Sequence, residues 1–254
     1  MTEQEGAIRR TAELINASSR IVGFTGAGIS TESGISDYRS KGGLWNRFTP
    51  VYYDEFIEDE EKRRLYWERK IEMWPSLRDA QPNAGHRFFS RLNAAGKLSG
   101  LITQNIDGLH AKAGLPREKL VRIHGTNAEI ICLSCRRILP AGELMEGMKP
   151  GEPAPLCSEC GGLLKPNTIS FGQNLDTKEL ERAEKLSAHC ELMLCLGSTL
   201  VVHPAAGFPA MAARCGAALA IVTLSETPLD SAATVLIRRP IGEVVGELTE
   251  LLGW

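Results

Sequence analysis

The sequence predicts an α/β fold in which a mostly parallel sheet is covered by helices on both faces. Short apolar runs that end in glycine-containing or polar loops alternate along the chain with longer segments of helical spacing, which is typical of a mostly parallel sheet. Two segments interrupt this alternation. One carries paired cysteines and predicts a small zinc-binding domain, and the other is charged with interleaved aromatics and predicts a helical insert.

The predicted elements follow in order from the N-terminus. Ile8, Ala12 and Ile15 are spaced for a first helix over residues 5–18, and the QPN sequence before His86 is expected to cap a later helix. Further helices are expected over residues 54–74, 177–190, 203–216 and 242–254. Strands are expected within residues 21–25, 100–105, 120–125, 191–196, 218–225 and 233–240.

Composition excludes several classes of protein. The chain has 254 residues and a net charge of −2, without the basic surplus of a sequence-independent nucleic-acid binder. No apolar run approaches the roughly 18–20 residues that a membrane span needs, and the polar N-terminal segment does not resemble a secretory signal. We therefore expect a cytoplasmic protein whose partners include neither a membrane nor nucleic acid.

The seven cysteines fall into two groups. Two C-x-x-C pairs stand 21 residues apart in a segment rich in proline and glycine, a spacing that favours one structural Zn²⁺ over redox pairs or buried thiols. Four thiolates leave no open coordination position, so the metal is expected to be structural. The other three cysteines lie among apolar residues and are interpreted as small core residues. The predicted ligands are Cys132, Cys135, Cys157 and Cys160, and the core cysteines are Cys190, Cys195 and Cys215.

Two groups of residues at predicted strand ends suggest a ligand site. Gly26 and Gly28 follow the first strand, where a glycine turn could let the backbone approach a pyrophosphate. The third glycine of the usual dinucleotide fingerprint is replaced by Thr31, so a plain tight turn is an equal alternative. The segment TQNIDGLH at 103–110 and the histidine of HG at 124–125 also follow strands, and a histidine there can act as a general base.

These motifs together resemble the sirtuin family. GAGISTESGISDYRS at 26–40 is similar to the sirtuin pattern GAGIS-x-x-SGIPDFRS, and TQNIDGLH, HG, the cysteine pairs, FG at 171–172, GST at 197–199 and HPAA at 203–206 follow in the family's order. The resemblance runs from about residue 20 to the C-terminus. It implies an NAD-dependent protein-lysine deacylase that acts on acylated-lysine proteins and consumes NAD, giving nicotinamide, O-acyl-ADP-ribose and free lysine.

The resemblance also implies roles for individual residues. His124 would be the general base, and Tyr38 would shield the reacting centre. Ile169 and Phe171 would form part of the acyl-lysine tunnel. The implied NAD contacts are Gly26, Ala27, Gly28, Ile35, Asp37, Tyr38, Arg39, Gln104, Asn105, Ile106, Asp107, Gly197, Ser198, Thr199 and Ser225. The glycine-rich segment within 40–50 would be a lid over this site.

Four positions depart from the family pattern. Ser36 replaces a proline, and Tyr38 keeps an aromatic ring but adds a hydroxyl. Gln173 replaces a common glutamate, and Ser225 stands where an asparagine often contacts the adenine ribose. None of these changes touches the implied base or the zinc ligands.

The resemblance divides the chain into three parts. Residues 1–38, 83–126 and 166–254 would form a Rossmann-type NAD-binding domain, residues 39–82 the cofactor loop and helical module, and residues 127–165 the zinc-binding module. The resemblance also implies that NAD and acyl-lysine meet in the cleft between the NAD-binding domain and the zinc-binding module.

Tyr66 and Arg69 raise the question of acyl preference. They lie three residues apart in a predicted helix and would share one helical face. In sirtuins that prefer succinyl- or malonyl-lysine, a Y-x-x-R pair in this region binds the distal carboxylate, a task that suits the guanidinium fork. The alternative is that Arg69 faces solvent or pairs with Glu68 or Glu72.

The sequence leaves three other functions open. Mono-ADP-ribosyl transfer to a protein would use the same residues for nicotinamide release. A non-catalytic NAD-binding scaffold would not need His124 and Asn105. A zinc-ribbon nucleic-acid module would need aromatics among the basic residues of the insert, and none is interleaved there.

Overall fold

The computed structural model describes residues 2–37 and 49–254. The first helix, α1 (Glu3–Ala17), begins at a capping box in which Glu5 N donates to Thr2 Oγ1 and Thr2 N donates to Glu5 Oε2. Strand β1 (Ile21–Thr25) leads into a 3₁₀ helix (Ala27–Ser33). Next come α2 (Tyr53–Glu58), α3 (Glu60–Asp79) and α4 (Ala84–Ala94).

The cap predicted from QPN is confirmed, because the Asn83 side chain accepts hydrogen bonds from the first amides of α4. The chain continues with β2 (Leu98–Thr103), α5 (Leu109–Lys112), β3 (Leu120–Arg122), β4 (Gly125–Cys132), β5 (Ile138–Pro140), α6 (Ala141–Met145) and β6 (Leu164–Thr168). The last elements are α7 (Thr177–His189), β7 (Leu192–Leu196), α8 (Gly207–Arg214), β8 (Ala218–Val222), β9 (Val235–Ile237) and α9 (Ile241–Leu252).

Within the described ranges, six strands form one parallel sheet in the order β3-β2-β1-β7-β8-β9. Alternate strand residues enter two separate cores. Phe24 and Cys195 face a core with α7 and α8, whereas Ile21 and Leu194 face one built with α1, α4 and α9. The predicted Rossmann-type sheet with helices on both faces is therefore confirmed.

The cysteine-containing insert has more apolar support than its sequence indicates. Strands β5, β4 and β6 form an antiparallel sheet, and its inner residues share one buried cluster with α2 and α3. The insert is therefore supported by an apolar core that it shares with α2 and α3, in addition to its cluster of four cysteines. Its core is completed by Val51, Phe56, Tyr66 and Trp67, which pack with Ile130, Ala141, Met145 and Leu164.

Several sequence boundaries differ from the observed ones. The helix expected from residue 203 begins at Gly207, because residues 203–206 form a turn. Cys190 and Cys195 are buried as predicted, but Cys215 is exposed because it is the C-cap residue after α8. The domain limits predicted at 126/127 and 165/166 fall inside β4 and β6, so these two strands would each cross a limit. The division into three parts remains a prediction. In the described part of the chain, no helix is both long and apolar enough to cross a membrane.

Candidate active site

A cavity of about 820 Å³ opens at the carboxyl ends of β1, β2 and β7. The chain leaves β1 toward β2 on one side and reaches β7 on the other side only later, so the strand order reverses at this point. Ligands of open α/β sheets bind at such a switch point. The volume lies within the range of small-molecule and cofactor sites.

Two glycine loops form the wall of the cavity at the ends of β1 and β7. Gly28 N donates to Gly197 O at 2.9 Å, and Gly26 N donates to Leu196 O at 3.2 Å. A Cβ on Gly28 would lie 2.9 Å from Gly197 Cα, and Gly197 has a positive φ of 67°. These glycines thus allow the two loops to touch, a requirement separate from the pyrophosphate approach that the sequence suggested.

Polar side chains from the end of β2 line the centre of the cavity. Gln104 Nε2 donates to Ser198 Oγ at 2.9 Å and so joins the loops after β2 and β7. Asn105 Nδ2 donates to Gly26 O at 3.0 Å and to Ser30 Oγ at 3.2 Å. Among the described residues nothing donates to Asn105 Oδ1, so this oxygen can accept a hydrogen bond from a bound ligand.

A buried polar network supports this centre from behind. Ser30 Oγ donates to Asp107 Oδ2 at 2.7 Å, and Asp107 Oδ1 accepts from Leu109 N at 2.9 Å. The rings of His86 and His110 lie 4.8 Å apart, and His110 Nε2 lies 3.0 Å from Thr25 Oγ1. Burial lowers the pKa of His86 to about 4 and that of His110 well below its ordinary value, so both rings are neutral at pH 7.

His124 stands between the two halves of the cavity, in the turn from β3 to β4. Its Nδ1 lies 3.0 Å from the carbonyl oxygen of Gln104, which can only accept, so Nδ1 carries the proton in the neutral ring. Nε2 is then an unprotonated acceptor at the cavity wall. Burial lowers the pKa of His124, and the bond to Gln104 O opposes that shift.

The other half of the cavity is lined from α3 and from the loop after β6. Ile169 N donates to His124 O at 3.0 Å, which places this loop beside the histidine. The Phe171 ring lies 5.9 Å from that of the exposed Tyr52, at the mouth. Tyr66 is 9% exposed, and its hydroxyl lies 3.2 Å from Thr168 Oγ1. Arg69 Nη1 donates to the carbonyl of Thr49.

The four paired cysteines form a separate site in the insert. Their sulfurs all lie within 4.8 Å of one another, with Cys132 Sγ–Cys160 Sγ at 3.5 Å and Cys135 Sγ–Cys157 Sγ at 3.8 Å. A tetrahedral Zn²⁺ with Zn–S bonds of about 2.3 Å requires sulfurs about 3.8 Å apart. The donor set therefore fits one structural zinc ion.

Comparison with known proteins agrees with this geometry. The sequence profile of the Sir2 family matches residues 26–204, which is more than half of the chain. The chain belongs to the Sir2 family. A Rhodopseudomonas palustris protein named NAD-dependent protein deacetylase is 41% identical over 239 residues, covering 94% of each chain.

Solved Sir2 structures share the fold closely. One, a Sir2 variant described with a deacetylated p53 peptide and 3′-O-acetyl ADP ribose, has a TM-score of 0.87 at 34% identity and covers 96% of this chain and 97% of its own. Another, described as Sir2 with a p53 peptide and NAD⁺, has a TM-score of 0.83 at 35% identity, with coverage of 97% and 98%.

The structure brings most of the predicted site residues of this Sir2 protein to one cavity. Ile35 and Asp107 do not line it, since Asp107 is engaged with Ser30 and the α5 amide. Tyr38, Arg39 and most of the predicted lid lie outside the described residues. The predicted residues that do line the cavity are Gly26, Ala27, Gly28, Asp37, Tyr66, Arg69, Gln104, Asn105, Ile106, His124, Ile169, Phe171, Gly197, Ser198, Thr199 and Ser225.

Sequence reasoning missed several residues of this Sir2 site. Ser30 and His86 belong to the buried network, and both stood next to recognised signals, in GAGIS and after QPN. Lys70 and Arg239 line the cavity, yet each stands in a charged segment whose pattern is that of a solvated face. No local signal distinguishes them.

Proposed function

We propose that this Sir2 protein is an NAD-dependent protein-lysine deacylase that consumes NAD and yields nicotinamide, O-acyl-ADP-ribose and free lysine. Its relative in Rhodopseudomonas palustris is named a deacetylase, and similar Sir2 chains have been solved with peptide and NAD⁺ or with an acetylated ADP-ribose. The acylated-lysine side chain of a protein is accordingly the second substrate.

The observation that carries this proposal is the position and tautomer of His124. Its Nε2 faces the cavity between the glycine loops on one side and the apolar tunnel residues on the other. A base that lies between the two halves of the cavity can act on a group of the substrate bound in either half.

The residues divide the work as follows. NAD supplies an ADP-ribosyl group whose bond to nicotinamide is broken by the acyl oxygen. Asn105 Oδ1 and Gln104 would orient the ribose next to that bond, and Ile169 and Phe171 would hold the acyl-lysine. His124 Nε2 would then take a proton from a ribose hydroxyl as that hydroxyl attacks the acyl carbon.

The remaining predicted contacts stay part of this proposal. The loops at Ala27 and at Ser198–Thr199 would hold the phosphates, and Ser225 would face the adenine ribose. Asp37 and Ile106 would meet nicotinamide. Asp107 could contact the nicotinamide amide only while it also accepts from Ser30 and the Leu109 amide.

The zinc site would be structural, with one ion per chain. It lies in the insert, and its four ligands are all thiolates, so no position is open for a substrate. A cytoplasmic location and the absence of direct nucleic-acid binding rest on the cysteine usage and the net charge of −2.

A mass-resolved reaction tests this function. The protein is incubated with NAD and a panel of acyl-lysine peptides, and every product is identified by mass. We expect free lysine peptide, nicotinamide and O-acyl-ADP-ribose in equal amounts. An ADP-ribosylated protein without deacylated peptide would instead assign a mono-ADP-ribosyltransferase, and NADH would indicate a dehydrogenase.

A preference for succinyl- or malonyl-lysine is a second candidate, favoured by one observation: Tyr66 and Arg69 both line the cavity. Arginine can bind a carboxylate through two hydrogen bonds. Comparing kcat/KM for acetyl- and succinyl-lysine in one peptide tests this, since loss of succinyl activity alone in Arg69→Met supports the preference. Equal losses of kcat/KM on both peptides would argue against a preference for acidic acyl groups.

A further inference from the structure

Two lysines lie beside Tyr66 at the α3 side of the cavity. Lys70 Nζ and Lys165 Nζ each lie 5.4 Å from the centroid of the Tyr66 ring. Lys70 lines the cavity one helical turn after Tyr66, so the two side chains share a face of α3. Lys165 is 1% exposed, does not line the cavity, and donates to the carbonyl of Thr168.

Neither ammonium group has an acidic partner within the described residues. Lys70 Nζ donates to Asn127 Oδ1 at 3.0 Å, and Lys165 Nζ donates to a backbone carbonyl. Burial lowers the pKa of Lys70 to about 8. Burial and the nearby charge of Lys70 lower the pKa of Lys165 to about 7. Two like charges without a counter-charge are a costly arrangement, and an anion entering the cavity would relieve it.

We propose that Lys70, supported by Lys165, determines acyl specificity by binding the terminal carboxylate of an acidic acyl-lysine. The inference rests on the proposed deacylase function and adds a residue to it. Lys70 is the member of the pair that an occupant of the cavity can touch. Lys165 is buried and does not reach the cavity, so it can act on an occupant only through its positive charge.

The neighbouring arginine has a different environment. Arg69 donates to the carbonyl of Thr49, at the edge of the described chain, whereas Lys70 points toward Asn127 on β4. An acyl chain with a neutral end would leave Lys70 with its amide partner alone. An acyl chain with a terminal carboxylate would instead place the opposite charge beside the ammonium group, so that the donor and the acceptor of the hydrogen bond are both ionised.

The test compares two acyl groups of equal shape on one peptide: succinyl-lysine and the analogue in which the terminal carboxylate is a carboxamide. The measured quantity is the ratio of their kcat/KM values for the full-length protein with NAD. In Lys70→Met we expect the ratio to fall about 10-fold or more, the effect of removing one charge-assisted hydrogen bond. Lys70→Arg keeps the charge and is expected to retain most of the ratio.

The control is Lys62→Met on the same helix, where the lysine is exposed and paired with Glu55 at 3.2 Å. It should leave the ratio unchanged. A ratio is insensitive to loss of folded protein, so partial unfolding of Lys70→Met does not imitate the effect. An unchanged ratio in Lys70→Met together with a reduced one in Arg69→Met would overturn the inference in favour of Arg69.

Acetyl-lysine separates this inference from the function on which it rests. A wild-type protein that deacylates acetyl-lysine but not succinyl-lysine overturns the role of Lys70 and leaves the deacylase function standing. A protein that deacylates no acyl-lysine with NAD overturns both.

Discussion

His124 illustrates how a backbone contact sets the chemistry of a side chain. Because Gln104 O accepts from Nδ1, the neutral imidazole presents its lone pair on Nε2 to the cavity. Burial also lowers the pKa of the ring, so this base is unprotonated at neutral pH. The proposed reaction needs both properties at one atom.

Replacing His124 with alanine should remove the base without disturbing the fold. His124→Ala is expected to lower kcat for deacylation by about 10²- to 10⁴-fold, the range for loss of general base catalysis. Its thermal unfolding midpoint should stay close to that of the wild type. His189→Ala, on an exposed helix end, is the matched control. Near-normal turnover by His124→Ala would refute its assignment as the base.

The pH dependence of the reaction should report the same residue. A base with a lowered pKa stays active until the pH falls below the ordinary histidine value of 6.5. We therefore expect kcat/KM to be level from pH 7 upward through pH 8 and to decline only on the acid side of 6.5. A decline that begins above pH 7 would contradict the lowered pKa.

At the scale of elements, the ends of β1 and β2 are joined by a buried network of neutral side chains. His110 on α5 contacts Thr25 of β1, while His86 on α4 contacts Ser30 of the 3₁₀ helix. Both rings pack against each other away from water. The two neutral rings therefore lie directly behind the cavity centre, where a proton added to either ring would be buried.

This network should make the fold sensitive to acid. Both histidines bind protons less readily in the folded state, so stability present above pH 6.5 is lost as the pH falls from 6.5 toward 4. Each contributes up to about 1.4 kcal/mol per pH unit in that window. Urea unfolding between pH 7 and pH 5 measures the slope for the wild type, for His110→Gln and for the exposed control His189→Gln.

The expected result is a smaller slope in His110→Gln than in the other two proteins. Glutamine places an amide near the position of the Nε2 atom but does not titrate. Equal slopes in all three proteins would contradict a buried, neutral His110.

The zinc-binding element depends on its metal and on α3 together. Its apolar residues share a cluster with α2 and α3, so the insert should remain attached to that helix even when the metal is removed. The C-x-x-C turns are each closed by backbone hydrogen bonds, with Arg136 N donating to Cys132 O at 3.0 Å and Gly161 N donating to Cys157 O at 2.8 Å. A bound zinc ion would join the two turns through their four sulfurs.

Serine at a zinc ligand should therefore loosen the insert locally. Cys135→Ser is expected to lower zinc content below one per chain, lower the unfolding midpoint and reduce deacylation indirectly. Cys215→Ser, an exposed cysteine outside the cluster, should do none of these. Metal analysis by mass spectrometry and thermal unfolding provide the measurements. If wild-type protein that is expressed with adequate zinc contains no zinc after purification, that result would argue against the site.

For the whole molecule, the proposed reaction requires NAD and the acyl-lysine side chain to occupy the two halves of one cavity together. The glycine loops of the large sheet line one half, and α3 with the loop after β6 lines the other. With both halves occupied, the bound substrates would themselves keep water from the reacting bond, so that NAD is not simply hydrolysed.

Two substrates in one cleft should be consumed together. We expect one NAD lost for each lysine deacylated, and we expect added nicotinamide to inhibit, because its release precedes the attack by the ribose hydroxyl and is reversible. Chromatographic quantification of NAD, nicotinamide and peptide in one reaction checks the stoichiometry. NAD loss well above lysine release, with no acyl-ADP-ribose formed, would mean that water reaches the centre.

The sequence by itself determined the parts of this protein that depend on local pattern. The zinc ligands follow from two C-x-x-C turns, and the position of His124 follows from its place just after the apolar strand at 120–122. Each of these signals spans only a few residues, where spacing and strand ends are visible. The order of the six parallel strands along the chain was predicted for the same reason, whereas strands β4, β5 and β6 of the insert were not predicted.

Only the tertiary structure decided which distant residues share a surface. Gly28 and Gly197 touch because β1 and β7 are neighbours in the sheet, although 168 residues separate them in the chain. In the sequence, Lys70 resembles any lysine of a charged helix. In the structure it lies at the cavity, where its ammonium group donates to Asn127 on β4. The core of the insert likewise comes from another element. Periodicity tells which face of an element is buried, whereas its partner depends on the packing of the whole chain.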